Sequence, residues 1–217
     1  MTHSLVPLAN LPLGPEEPAE LSALRTLAAA GFQVSPLGVV PADAEETFYR
    51  LNNLPSQLGA LFSDLDLTDP DEDDLEERAP DAQRLVRAHF LLDEFVDLFY
   101  AGLGALPARV RVRRPYPRRP GTSKPFAEPP AGRVVTRGRP ALLALKETWA
   151  DDWSFGALQS RTALTQSVAL GARPVLLTPA TEENVGDAET VRAEKLLNAC
   201  VQLLSDPALG LTGVRFL

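Results

Sequence analysis

The strongest constraint on this chain is a change of period. From Asp81 to Leu106 apolar residues recur at helical spacing, through Leu85, Val86, Phe90, Phe95, Val96, Phe99 and Leu103. At Ala108 to Arg114 (ARVRVRR) the period drops to two. Val110 and Val112 then share one face and Arg109, Arg111 and Arg113 the other, which predicts an amphipathic strand with an arginine face. Six prolines follow between Pro115 and Ala131, so the strand should run into an irregular, Pro-rich insertion at 115–131. A chain with both patterns is expected to fold as a mixed α/β (α+β) protein.

Charge changes at the same place. The formal net charge is −8. Residues 1–105 carry 19 acids and 5 bases, whereas residues 106–140 carry 10 bases and 1 acid. Total charge argues against a polyanionic partner; its separation argues for a local basic site. Arg109, Arg111, Arg113, Arg114, Arg118, Arg119, Lys124, Arg133, Arg137 and Arg139 are therefore candidate phosphate contacts for DNA or RNA. Tyr116 and Phe126 lie among them, a mixture that suits single strands. The competing reading pairs this segment with the acidic half, in the same chain or in a partner. Its clearest acidic counterpart is Asp64–Glu77, with nine acids in fourteen residues. That run lacks the glycine and the glutamate of a calcium loop and is expected to be solvated.

The helical, acidic region is expected over residues 1–79 and an α/β domain over 80–217. Glu20 to Ala30 reads as a helix closed by Gly31, and a short strand fits within Phe32–Val40. Asp43 is a plausible N-cap with Glu46 three residues on. One long helix is expected over Asp81–Leu106, preceded by Pro80. A hairpin around Arg137-Gly138-Arg139 would join strands at Val134–Thr136 and Ala141–Lys146. Residues 141–146 also fit a helix, with Pro140 in its first turn and Leu142, Leu145, Trp149 and Trp153 at helical spacing. A helix from Ser154 as N-cap to Leu170, closed by Gly171, a buried strand at Arg173–Thr178, a helix over Asp187–Ser205 and a short strand at Gly213–Leu217 complete the order. Cys200, the only cysteine, is expected to be buried and inert, and Trp149 and Trp153 to be core residues.

Several classes are excluded or disfavoured. No run of 18 apolar residues exists, so no membrane partner is expected. The first residues lack a basic and then apolar signal pattern, and one cysteine allows no intrachain disulfide, which together suit a cytoplasmic protein. Arginine outnumbers lysine 18 to 3, a bias typical of a GC-rich bacterial genome. Two histidines, His3 and His89, cannot make a histidine-rich metal site. No phosphate-binding glycine loop, nucleophile elbow or zinc-protease motif occurs.

The expected order over residues 81–178 (helix, three strands, helix, strand) resembles the αβββαβ core of the restriction-endonuclease-like PD-(D/E)xK superfamily. That resemblance implies a divalent metal such as Mg2+, held by carboxylates that activate water, with a lysine assisting. Lys146 stands at the lysine position, and Glu94 could match a helix carboxylate. Gln159 or Gln166 could match a helix glutamine. The two metal-holding acids are not matched: Ala144 replaces one, and Gly132 or Arg133 the other. The resemblance therefore implies a degenerate nuclease fold that binds nucleic acid or assists a complex, with no cofactor. The alternatives are a structural or protein-interaction module, and a nuclease whose acids have moved to Glu147, Asp151 or Asp152.

Overall fold

The computed structural model describes residues 5–10, 17–117 and 132–217. The protein is a mixed α/β fold. Its elements are β1 (Val6–Pro7), a 3-10 turn (Leu8–Asn10), α1 (Ala19–Ala29), β2 (Gly38–Val40), α2 (Ala42–Leu51), α3 (Leu54–Leu61), α4 (Glu72–Ala88), α5 (Asp93–Leu103) and β3 (Arg109–Arg113). Then come β4 (Arg133–Thr136), α6 (Arg139–Asp151), α7 (Phe155–Thr165), β5 (Val175–Pro179), β6 (Glu183–Asn184), α8 (Asp187–Leu197), β7 (Val201–Asp206) and β8 (Gly210–Phe216).

Five strands form one sheet in the order β1-β2-β5-β3-β4, antiparallel throughout. β6, β7 and β8 form a second antiparallel sheet. The centre of the first is β5, and every residue of it is buried. Its alternation splits the interior in two. Val175 and Leu177 join Val40, Val110 and Val112 in a core with α2 to α7. Leu176 joins Val39 in a second core with α1, α8 and the small sheet. A strand covered on both faces needs apolar residues at consecutive positions, which is why VLL reads as an unbroken run.

The larger core is built on Trp149, whose ring stacks on Phe48 at 5.0 Å and lies 6.4 Å from Phe95. Trp153 stacks on Phe62 at 6.2 Å and donates its Nε1–H to the Tyr49 hydroxyl at 2.8 Å. α4 runs through the expected boundary at residues 79 and 80, with Pro80 inside it.

Five expected elements differ, among them α7, which ends at Thr165 and not at Leu170 because Gln166 takes a left-handed φ of 53°. Residues 141–146 are not a strand but the middle of α6; Pro140 sits in its first turn, and Ala141, Ala144, Leu145, Thr148 and Trp149 make one buried helical stripe. β4 accordingly pairs with β3, Arg109 opposite Thr136 and Val112 opposite Arg133. The described chain therefore runs helix, strand, strand, two helices, strand, and the αβββαβ order loses its third strand. The helix expected over 81–106 is two helices, with α4 beginning nine residues earlier. Asp71 caps it by accepting from the Asp73 N–H at 2.9 Å, so Glu72–Glu77 are helical and their charges favour its N-terminus. The helix expected over 187–205 stops at Leu197, where Asn198 takes a left-handed φ of 47°, and Val201–Asp206 becomes β7. Cys200 falls in the turn between them and is exposed. Finally, α2 begins at Ala42 after Pro41 with no side-chain cap, and Asp43 lies within its first turn.

Where β8 crosses the ends of α1 and β3, it carries Gly213. A Cβ there would lie 2.8 Å from an Arg113 Nη2 and 2.9 Å from a Glu20 oxygen. Gly213→Ala is expected to lower stability by about 1–3 kcal/mol, read as a shifted denaturation midpoint.

Candidate functional site

Two neighbouring arginines at the end of β3 point to opposite cores, and each meets a carboxylate delivered by a helix. Arg113 is 2% exposed. Its guanidinium donates to both Glu20 oxygens, at 2.8 and 2.6 Å, and to the Thr212 carbonyl. Glu20, from the first turn of α1, also accepts the backbone N–H groups of Tyr116 at 2.6 Å and Val214 at 3.2 Å. Burial opposes the charge on Arg113, but Glu20 outweighs it and holds the pKa above its ordinary value. The Tyr116 ring lies 4.1 Å from the Arg113 guanidinium and 4.4 Å from that of Arg215. Tyr116 is thus engaged by its own chain's cations.

Arg114, 6% exposed, reaches the other side. It donates to Glu45 of α2 at 2.7 Å, to Asp152 after α6, and to the Arg173 and Pro174 carbonyls. Arg173 closes the ring by donating to Asp152 with its side chain and to Glu45 with its backbone N–H. Burial, reinforced by the nearby Asp152, pushes the Glu45 carboxyl above its usual range despite Arg114. Burial likewise raises the Tyr49 hydroxyl, which lies beside Glu45. Together these contacts tie α2, α6 and β5 to the end of β3.

The other candidate phosphate contacts divide. Arg111 lies 3.1 Å from Glu182, and Arg133 is bidentate on Asp151. Arg137 is exposed and donates to the Leu106 carbonyl at 2.9 Å. Arg109 and Arg139 are exposed and make no ion pair among the described residues. Arg118, Arg119, Lys124 and Phe126 lie outside the described residues. As they stand, Arg113 and Arg114 are committed to buried carboxylates of their own chain. The carboxylates that answer the segment are Glu20, Glu45, Asp151, Asp152 and Glu182, not the Asp64–Glu77 run. Within that run Asp64 pairs with Arg78, and Glu72 accepts from Gln159 at 2.7 Å.

Lys146 does not end a strand. It projects from α6 onto the end of α4, and its amine donates to the carbonyls of Arg87 at 2.6 Å and His89 at 2.5 Å. These are carbonyls that a continuing helix would have used, and a cation at a helix C-terminus is favoured by the dipole. Burial lowers the Lys146 pKa, and Glu147 pulls it partly back. Glu147 itself pairs with Arg87. Among the described residues no group of three or more His, Cys, Asp and Glu is placed to hold a metal, and of the relocated acids of the nuclease alternative, Asp151 pairs with Arg133 and Asp152 with Arg114 and Arg173.

What Lys146 does position is the link from His89 to Leu92. Asn52 donates its amide to the Phe90 carbonyl at 3.2 Å and to Phe48 at 2.8 Å, and the Gln57 amide lies 3.2 Å from the His89 ring. Three elements thus fix this backbone and end α4 there. The side chains it carries are apolar and exposed: Phe90 at 86% and Leu92 at 53%. Beside them lies a groove of about 210 Å3, floored by Phe48 and Phe95 and walled by Leu51, Leu91 and Leu92. Glu94, expected as a helix carboxylate of a catalytic centre, lines this groove instead. The sequence spacing had placed Phe90 on the buried stripe of one long helix; only the break in that helix turns it outward.

No protein-family model matches the sequence, and no curated protein matches it. No helix among the described residues is long and apolar enough to cross a membrane.

Arg113→Met leaves Glu20 buried without its cation and should cost about 3–5 kcal/mol in chemical denaturation. Lys146→Met should cost about 1–2 kcal/mol and speed amide exchange at His89–Leu92.

Proposed function

We propose that this chain is a protein-interaction module whose arginine segment chiefly serves its own fold. Phe90 carries the reading. A phenylalanine side chain ordinarily gains by leaving water, yet this one stays in water on a backbone held by Asn52 and Lys146, beside an apolar groove. A ring held in place before it has a partner loses little further freedom on docking. The buried closure of Arg113 by Glu20, and of Arg114 by Glu45 and Asp152, supports the same reading. Those guanidiniums cannot turn to phosphate without stranding a buried carboxylate.

Nucleic-acid binding is the second reading, favoured by one corner of the molecule. Arg109 pairs across the hairpin with Thr136, the Arg137 N–H donates to the Ala108 carbonyl, and Arg139 opens α6, which brings three exposed arginines together. Phosphate contacts there would release counterions and make affinity fall with salt.

Titration against labelled single- and double-stranded DNA and RNA at low salt separates the two readings. On the first, Arg109→Glu, Arg137→Glu and Arg139→Glu together change nothing measurable. Binding that weakens steeply with salt and disappears in that triple variant would establish the second. Phe90→Ser should meanwhile shift stability by no more than about 0.5 kcal/mol. A loss of about 3–5 kcal/mol would show that the ring packs for the fold's sake.

A further inference from the structure

The groove's chemistry specifies its occupant further, and this step rests on the interaction-module reading. Its floor is aromatic, and the charged group among its lining residues is an anion. Glu94 lines it, and Asp93 stands exposed beside Glu94 in the first turn of α5. Asp43 is exposed one helical turn from Thr47, another lining residue. Asn52 commits its amide hydrogens to the Phe48 and Phe90 carbonyls, which leaves its carbonyl oxygen as the acceptor. No arginine or lysine lines the groove, and nearby Arg87 is already held by Glu147.

We propose that this groove binds an amphipathic helix with basic flanks, its apolar face against Phe48, Phe90 and Phe95 and its lysines or arginines against Glu94 and Asp93. The apolar trough between α2 and the His89–Leu92 link matches helix-in-groove recognition, in which anchors at i, i+3 or i+4, and i+7 enter one slot. The rim supplies the sign. An acidic helix would bring like charges together, which costs affinity and association rate.

The test uses the full chain and two fluorescein-labelled synthetic helices with identical leucine anchors, one flanked by arginine and lysine, the other by glutamate. Anisotropy titration should show the basic helix binding at least about ten-fold tighter. Phe90→Ser should weaken that binding about ten-fold or more. Glu94→Lys should narrow or reverse the preference. Binding of the basic helix that survives Phe90→Ser would overturn the proposal. Equal binding of both helices, still dependent on Phe90, would overturn the partner chemistry and leave the interaction-module reading standing. Binding of neither helix, with a concentration-dependent dimer that Phe90→Ser dissolves in sedimentation, would give the groove to a second copy. Binding of neither by a chain that stays monomeric would remove both the proposal and the reading beneath it.

Discussion

The buried pair of Glu20 and Arg113 is the contact on which the arrangement of the two cores depends. Glu20 comes from the first helix, Arg113 from the end of β3, and the N–H groups that share the carboxylate come from Tyr116 and from Val214 in the last strand. One carboxylate thus joins elements 93 and 194 residues apart. Such a pair gives little net stability, since desolvating both ions offsets their attraction. Its value is orientation. The carboxylate has room for four donors in one geometry, and Gly213 leaves the space they need.

Arg114 repeats the device on the opposite side with a different balance. There two carboxylates, Glu45 and Asp152, share a buried guanidinium, and Arg173 comes in from the half-exposed edge to Asp152. Consecutive residues point to opposite faces of a strand, so the dipeptide Arg113-Arg114 staples both helical layers to the same edge. Of the basic segment that separates the chain's charges in sequence, Arg111, Arg113, Arg114 and Arg133 are paired with carboxylates of their own chain, while Arg109, Arg137 and Arg139 stay exposed. The pairing acids are scattered singly through the chain, and the dense run at Asp64–Glu77 caps and solvates its own helix instead.

Much of the fold was legible from residues. Period-two alternation gave β3, the VLL run gave the doubly covered strand β5, and Gly31 marked the end of α1, where its φ is 86°. What failed, failed for identifiable reasons. Residues 141–146 are apolar without interruption, and such a run fits a strand or a helix equally; the stripe extending to Trp149 decides it. The break at His89 was illegible because its cause is distant: Lys146 and Asn52 take the carbonyls that would have continued the helix. The same distance hid the groove, since Phe90 falls on the apolar stripe of an unbroken helix and leaves it only when the helix stops. Lys146 was singled out for a catalytic pattern, and the structure places its amine on two carbonyls at the end of α4. Turning Val201–Asp206 into a strand required the partner strand β8, which local spacing does not reveal.

The central position of β5 also sets the order in which the molecule can be made. β2 and β3 are not neighbours in the sheet; they are joined to each other only through β5, residues 175–179, which is made after both. Until then, Val39, Val40, Val110 and Val112 have no central partner, and both helical layers lack the surface they cover. A nascent chain must therefore hold the edges of β2 and β3 open until residues 175–179 have emerged. Pairing both with β5 is a long-range step, and the smaller core still needs α8, β7 and β8 after it.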